Sequence, residues 1–402
     1  LFLLDLTGDV MLLIVALIVA SLSYGVFEYA RHLRYLRRIP VRVHVNGTRG
    51  KSSVTRLIGA GLRAGGVNTI TKTTGTAPRF IFPDGGEVPV FRVGKANIIE
   101  QLKIIRRAVR LGTEALVMEC MAVNPILQVI TEHRIIRSTV GAITNARPDH
   151  LDMMGPTTDD VAVALCGTMR RGVPMFTSER ARLEIFENEA TRTGCELISV
   201  DPNGIGDDEM KRFSYIEHRD NIALALAVCE HLGVDRETAL AGMTTAVADP
   251  GALRIYRIDF FDKHVEFVNA FAANDNDSYI AIWEILGIGP DIGKPVITMV
   301  NARADRLQRT EALAELIASG RLHSDRFVLT GQFTAALEAQ AVGRGLARER
   351  IIDLGNAPPD EVFETIVSLT PESSLVVGIG NMVGHGQAIV DHFVNRGHEV
   401  VR

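Results

Sequence analysis

The residues best suited to chemistry are Gly47-Thr48-Arg49-Gly50-Lys51-Ser52-Ser53. Just before them Val41, Val43 and Val45 alternate with polar residues, a strand pattern; just after them Val54, Leu57, Ile58 and Leu62 recur at helical spacing. A glycine-bearing loop between a strand and a helix turns tightly and aims backbone N–H groups inward, where the helix N-terminus adds partial positive charge. Phosphate oxygens fit such a cradle. Lys51 would reach the terminal phosphates of a nucleotide, and the Ser52 hydroxyl would hold Mg2+. An ordinary glycine turn accounts for the glycines but not for the Gly-Lys-Ser-Ser run at the start of a helix. The loop is short: two residues separate its glycines where the standard phosphate-loop pattern has four.

Acidic and imidazole groups follow two further strand-like runs. Glu119 closes the apolar run Ala115–Met118, and at the carboxyl end of a strand it would point into a ligand crevice. A nucleotide-bound Mg2+ takes one or two carboxylates among its oxygen ligands, so Glu119 is a candidate beside Ser52. The stretch Thr144-Asn145-Ala146-Arg147-Pro148-Asp149-His150-Leu151-Asp152 follows the run Thr139–Ile143. His150 there is placed to ligate a metal or to hold a water or a carboxylate. The same stretch reads equally well as a surface loop in which Asp149 or Asp152 caps the next helix.

These groups need a folded frame, and the composition supplies one. The chain has 402 residues, 47% hydrophobic and 23% charged, which suits globular domains and more than one core. The net charge of -5 argues against non-specific nucleic-acid binding, which requires a cationic face. Cys120, Cys166, Cys195 and Cys229 form no C-x-x-C pair, so a zinc or redox motif is not indicated and reduced thiols are expected. Val10 to Phe27 carries no charge in 18 residues and is followed by Arg31, Arg34, Arg37 and Arg38. This is the pattern of a single transmembrane helix with the body of the protein on the cytoplasmic side, and not of a cleaved leader, whose front would be basic. The chain does not open on Met, which points to a few residues ahead of Leu1.

Beyond Pro40, strand-like runs alternate with helical ones: Ala115–Met118, Ile98–Leu111, Thr139–Thr144, Asp159–Arg171, Val173–Thr177 and Leu197–Val200. That alternation predicts an α/β fold with a mainly parallel sheet. A second series opens with Arg254–Ile258 and Val265–Asn269, a pair of strands joined by the turn Phe261-Asp262-Lys263, and continues with Val296–Val300, Phe327–Thr330, Ile351–Leu354 and Leu375–Ile379. The expected organisation is a helix and basic segment over 1–38, a nucleotide-binding domain over 39–267 and a smaller, Rossmann-like α/β domain over 268–402. Thr73–Gly94, rich in Thr, Gly and Pro, reads as a loop excursion. Gly378 to Gly386 reads as a loop near the ligand crevice and not as a dinucleotide fingerprint.

Together these pieces resemble the Mur ligase superfamily, which includes the peptidoglycan amino-acid ligases and folylpolyglutamate synthase. The loop GTRGKSS, Glu119 after its strand and the ARPDHLD stretch occur in that family's order and rough spacing. His218-Arg219-Asp220-Asn221 resembles the helix whose Asn contacts adenine, which implies that role for Asn221. Asn269 to Asp275, with Asn269 and Asn274, resembles the hinge segment that opens the last domain, and Asn301 to Arg306 resembles the Gly-Gly-Asp-Arg stretch of that domain. There are departures. No Lys lies between Lys103 and Lys211, where many relatives carry a carbamylated lysine; Asn269 stands where the family has Asp; and a membrane helix stands where relatives carry a UDP-sugar domain. This combination resembles the membrane-anchored ligases that make poly-γ-glutamate.

The resemblance implies an ATP- and Mg2+-dependent ligase that activates a glutamate γ-carboxylate as an acyl phosphate and joins it to the amine of another glutamate. It implies phosphate contacts from Gly47 to Ser53, catalysis by Lys51, His150 and Arg306, and metal held by Ser52, Glu119 and His150. Small integral membrane subunits are the implied partners. Arg79, Arg92, Arg147 and Arg303 are candidates for carboxylate binding, and each reads equally well as a solvated charge. Rival readings are another Mur-type amino-acid ligase, a membrane-tethered ATPase powering polymer export, and a subunit that keeps the nucleotide site without its chemistry.

Overall fold

The structure, a computed structural model, describes residues 2–400 except 75–77, 93–95, 214, 216, 249–252, 272, 274–275, 305–306 and 383, and omits the side chains of 2–9, 277, 307 and 308. The chain forms two compact units, one over Leu1–Ile205 and Arg219–Val247, the other over Gly206–His218 and Ala248–Arg402.

The first unit is built on eight strands: β1 (Val41–Asn46), β2 (Thr69–Lys72), β3 (Arg79–Ile81), β4 (Glu87–Pro89), β5 (Ala115–Glu119), β6 (Val140–Ile143), β7 (Pro174–Thr177) and β8 (Glu196–Ser199). They lie in the order β4-β3-β2-β5-β1-β6-β7-β8. From β2 to β8 every pair is parallel, while β3 and β4 run antiparallel at one edge. The segment expected as a loop between Thr73 and Gly94 thus contains a hairpin. Its three-residue strands are too short to show a period, and Asp84-Gly85-Gly86 makes the turn. Both faces of the central strands are covered, so β5 reads as a nearly continuous apolar run, while β1 alternates Val with Arg42, His44 and Asn46, the last two of them buried.

Successive strands leave β1 in opposite directions. The chain passes through helix α2 (Lys51–Ala64) to β2 on one side, while β6 lies directly on the other. The crevice beyond the carboxyl ends of β5, β1 and β6 is therefore a topological switch point, the usual ligand position in open α/β sheets.

The helix α1 (Phe2–Arg37) is long and apolar enough between Val10 and Arg37 to cross a membrane, and its side chains from Val10 to Phe27 are all exposed. Its last turns join the first unit's core. Leu36 is buried, Leu33 and Tyr35 pack against Ile104 and Ile105 of α3 (Glu100–Arg110), and the His32 ring meets the Ile135 carbonyl at 2.8 Å.

One polar cluster lies deep in this core. The helix Pro125–Ile130 passes into a π-helical turn, Thr131–Ile136, an irregularity that re-aims side chains, and Glu132 points inward. Its carboxylate meets His44 Nδ1 of β1 at 2.7 Å and accepts bonds from the Ser138 N–H and hydroxyl at 2.9 and 2.8 Å. The His44 and Glu132 side chains are 1% and 0% exposed.

The second unit carries β9 (Arg254–Phe260), β10 (Lys263–Asn269), β11 (Val296–Ala302), β12 (Arg326–Gly331), β13 (Ile351–Asp353), β14 (Ser373–Gly380) and β15 (His398–Val400), ordered β13-β12-β11-β14-β10-β9-β15. The five strands from β13 to β10 are parallel, and β9 and β15 are antiparallel. The boundary expected at residue 268 falls inside β10. Phe261 and Asp262 make a hairpin turn that ties β9 to β10, so the second sheet must start before either strand, and the unit takes up the chain from Ala248. Gly378 to Gly380 belong to β14, and a helix, His385–Val394, follows; the glycine run is a strand end leading into a helix and not a free loop.

Candidate active site

The loop after β1 is a cradle held open from several sides. Gly47 has φ +128° and Gly50 φ +77°, conformations that favour glycine. Space adds a second constraint. A Cβ on Gly47 would lie 2.0 Å from Thr144 Oγ1, and one on Gly50 would lie 2.5 Å from Asn221 Oδ1. Gly50 caps α2, which begins at Lys51 and offers its free N–H groups to the crevice.

The main brace was not singled out from sequence. Asn145, just beyond β6, accepts from Thr48 Oγ1 at 2.7 Å and from Arg49 N at 3.1 Å, and its amide donates to the Arg49 carbonyl at 3.2 Å. The Thr144 hydroxyl donates to that carbonyl at 2.6 Å. Thr48 Oγ1 in turn accepts from Arg147 N at 2.9 Å. Asn145 was legible only as one polar residue at the end of a strand; its adjacency to the loop follows from β6 pairing with β1.

Lys51 folds back so that Nζ donates to the loop's own carbonyls, Gly47 O at 2.6 Å and Thr48 O at 3.1 Å. Desolvation draws its ammonium below the ordinary lysine range, while Glu119 and Asp149 oppose that shift. Ser52 Oγ donates to Glu119 Oε2 at 2.9 Å, and Thr74 N donates to the same oxygen at 2.6 Å. The sequence-predicted pair Ser52 and Glu119 is thus in direct contact, although 67 residues separate them. Ser53 follows in the first turn of α2.

Arg49 forms an ion pair with Asp149 at 3.1 Å. His150 has φ +46° and precedes the short helix Leu151–Met154 without a side-chain cap, so neither Asp149 nor Asp152 caps it. Its ring is 35% exposed and stands 3.9 Å from Asp149. Gly47, Lys51, Glu119, Asp149 and His150 all border one cavity of about 320 Å3. Among the described residues no three His, Cys, Asp or Glu gather as a metal cluster. The Ser52 and Glu119 oxygens nevertheless fit a hard cation that takes its remaining ligands from phosphate and water.

Asn221 sits in the helix Arg219–His231, 5% exposed, with its amide against Gly50. Asn269 ends β10 in the second unit, 7% exposed, where its Oδ1 accepts from Phe271 N at 3.4 Å. Asn274 and Arg306 lie outside the described residues.

Gly50→Ala tests the cradle directly. A methyl group there both strains the backbone and pushes on Asn221. We expect affinity for ADP, measured by titration of a fluorescent analogue, to fall at least about tenfold while the melting temperature moves little. Unchanged affinity would mean that the loop does not hold phosphates.

Comparison with known proteins agrees with this architecture. The family described as Mur ligase middle domain matches residues 45–245, and that described as poly-gamma-glutamate synthase CapB C-terminal domain matches residues 255–396. The chain is 36% identical over 383 residues to the PGA synthase CapB of Bacillus subtilis (strain 168), covering 94% of this chain and 96% of that one. Among solved structures, E. coli FolC in complex with DHPP and ADP is similar with a TM-score of 0.66 at 14% identity, covering 91% of each chain. The Yersinia pestis bifunctional folylpolyglutamate synthase/dihydrofolate synthase complexed with AMPPNP and Mn ion is similar with a TM-score of 0.62 at 15% identity, covering 91% of this chain and 92% of that one. These last two likenesses carry the fold alone. With its two units matched in turn and its full-length likeness to a CapB protein, the chain belongs to the Mur ligase superfamily and, within it, to the CapB family of poly-γ-glutamate synthases.

Proposed function

We propose that this protein is an ATP-dependent ligase that joins glutamate units through their γ-carboxylates. The observation that carries the reading is the cradle from Gly47 to Ser53, braced by Asn145, with Lys51 at its mouth and the Ser52–Glu119 pair beside it. A carboxylate is a poor electrophile because its charge repels a nucleophile and oxide is a poor leaving group. Phosphorylation removes both obstacles. In the proposed reaction a γ-carboxylate oxygen attacks the terminal phosphorus of ATP and the bond to ADP breaks. The amine of the second glutamate then attacks the acyl carbon, loses a proton, and phosphate departs.

The chain's part is to position charge. Backbone N–H groups of the loop and the start of α2 bind the phosphates. Lys51 exchanges its loop carbonyls for phosphate oxygens and neutralises charge on the transferred group. Ser52 and Glu119 would hold Mg2+, which supplies further charge neutralisation when bound. His150, bordering the same cavity, orients a water or a carboxylate, and Asn221 lies against the cradle at Gly50. Arg306 is assigned, on the family resemblance, to stabilising the tetrahedral intermediate.

The apolar span of α1 anchors the protein in the membrane, with its basic end and both units on the cytoplasmic side, where ATP and glutamate are found. Small integral membrane subunits complete the synthase. Deletion of residues 1–27 is expected to move the protein from the membrane pellet to the supernatant on fractionation; persistence in the pellet after an alkaline carbonate wash would sink the anchor.

Hydroxylamine traps acyl phosphates as hydroxamates, so membranes supplied with ATP, Mg2+, glutamate and hydroxylamine should yield glutamyl hydroxamate in step with ADP. ATP hydrolysis without trapped product would favour a transport ATPase instead.

A further inference from the structure

Glutamate presents two carboxylates, and a γ-linked polymer requires that only one be activated. The cavity beside the phosphate cradle contains a group suited to that choice. Arg92 borders it, and its Nε and Nη2 donate to Glu100 Oε2 at 2.6 Å and Oε1 at 3.2 Å. Glu100 stands in the first turn of α3, and its Oε1 is also 2.6 Å from Nζ of Lys72, which ends β2 and is fully buried. Desolvation alone would raise the Glu100 carboxyl, but hydrogen bonds from Arg92 and Lys72 hold it below the ordinary range.

One carboxylate therefore serves two cations, and a positive charge is left over in the cavity wall. The neighbouring charges do not cancel it, because Arg49 and Asp149 neutralise each other and Lys51, on the same cavity, offsets Glu119. Arg92 spends its Nε–Nη2 edge on Glu100, and among the described residues the Nη1 side of this rigid, planar donor is left for a second carboxylate. Two other arginine candidates of this unit lack this placement. Arg79 faces Glu87 in the β3–β4 hairpin at 3.6 Å, and Arg147 is not among the residues bordering the cavity.

We propose that Arg92, braced by Glu100 and Lys72, binds the α-carboxylate of the glutamyl donor, so that the γ-carboxylate is the one presented to the phosphate. This assignment rests on the ligase reading. A carboxylate held on a guanidinium cannot reach phosphorus, whereas the other, three carbons away, remains free. Glu100 and Lys72 are positioning residues: they fix the plane of the guanidinium before substrate arrives.

The test compares glutamate with 4-aminobutyrate, which is glutamate without its α-carboxylate, on the full chain in membranes loaded with ADP and Mg2+. Binding is measured by titration, and hydroxamate formation with ATP is followed in parallel. The wild type should bind glutamate roughly 10- to 100-fold more tightly than 4-aminobutyrate, the range expected for a hydrogen-bonded charge. Arg92→Gln should erase most of that difference by weakening glutamate alone, raising its KM with little change in kcat, while ADP affinity holds. Glu100→Gln, which frees the guanidinium to swing, should show the same pattern with a smaller loss. Equal weakening of both ligands in Arg92→Gln, or equal binding of both by the wild type, would overturn the proposal. If no hydroxamate forms from either compound, the ligase reading fails, and the binding comparison still decides what Arg92 recognises.

Discussion

Replacing Lys51 with methionine is expected to reduce ADP release and glutamyl hydroxamate formation together by about three orders of magnitude or more. Methionine keeps most of the side chain's length and removes its charge. In the resting structure that charge rests on the Gly47 and Thr48 carbonyls, at 2.6 and 3.1 Å, in a setting that already disfavours an ammonium. A terminal phosphate is the partner that repays this arrangement, and its charge grows most demanding at the transition state. Preorganised donors aimed at developing charge are worth about 10²–10³-fold singly, and Lys51 contributes a full charge. The melting temperature should be unchanged or slightly higher, since a partly desolvated cation has been removed. If turnover survives while the fold is intact, the cradle assignment fails. Loss of hydroxamate with hydrolysis retained would separate phosphate binding from acyl transfer.

The second large effect concerns stability. Glu132→Gln should cost about 3–5 kcal/mol, the usual penalty when one partner of a buried ion pair is removed and the other stays charged. The pair is His44 and Glu132, joined at 2.7 Å with essentially no exposure. Burial pulls the His44 imidazole down, but the Cys120 thiol and Glu132 outweigh it, and its pKa is raised to about 10 from an ordinary 6.5. The Glu132 carboxyl is pushed up by burial and more strongly down by His44 and Ser138, so it ends below its ordinary 4.5.

Each shift carries a sign. His44 binds its proton more tightly when folded, so its contribution is complete below pH 6.5 and is lost as pH rises toward about 10. Glu132 binds its proton less tightly when folded, so its contribution is present above pH 4.5 and is lost as pH falls below that. Chemical denaturation at a series of pH values should therefore show wild-type stability declining on the alkaline side from pH 6.5, with a shallower decline in Glu132→Gln. Parallel profiles for the two proteins would show that His44 does not carry a proton at neutral pH.

The phosphate cradle was legible because its chemistry is local. Glycines at 47 and 50, a lysine and a serine at the head of a helix, and an alternating strand just before them are all sequence neighbours. The apolar span of α1 and the strand–helix alternation were legible for the same reason, since each is a periodicity within about 20 residues. The β3–β4 hairpin was not, because three-residue strands are too short to show a period and pair through edges set elsewhere. The start of the second unit was misplaced although the turn joining Arg254–Ile258 to Val265–Asn269 was itself legible. A hairpin commits both of its strands to one sheet, so the unit has to begin before β9.

What the sequence by itself determined is the type of chemistry: a short phosphate loop, an acid after a strand, an apolar helix long enough to span a membrane ahead of two α/β series. What only the tertiary structure decided is which distant groups serve that loop. Asn145 braces it because β6 lies beside β1; Glu119 meets Ser52 because β5 lies on the other side; and Arg92 is held by Glu100 of α3, which Lys72 of β2 fixes in turn. The physical reason is that a hydrogen bond acts over about 3 Å, whereas strand order, set by buried apolar faces across the whole sheet, chooses which residues come that close.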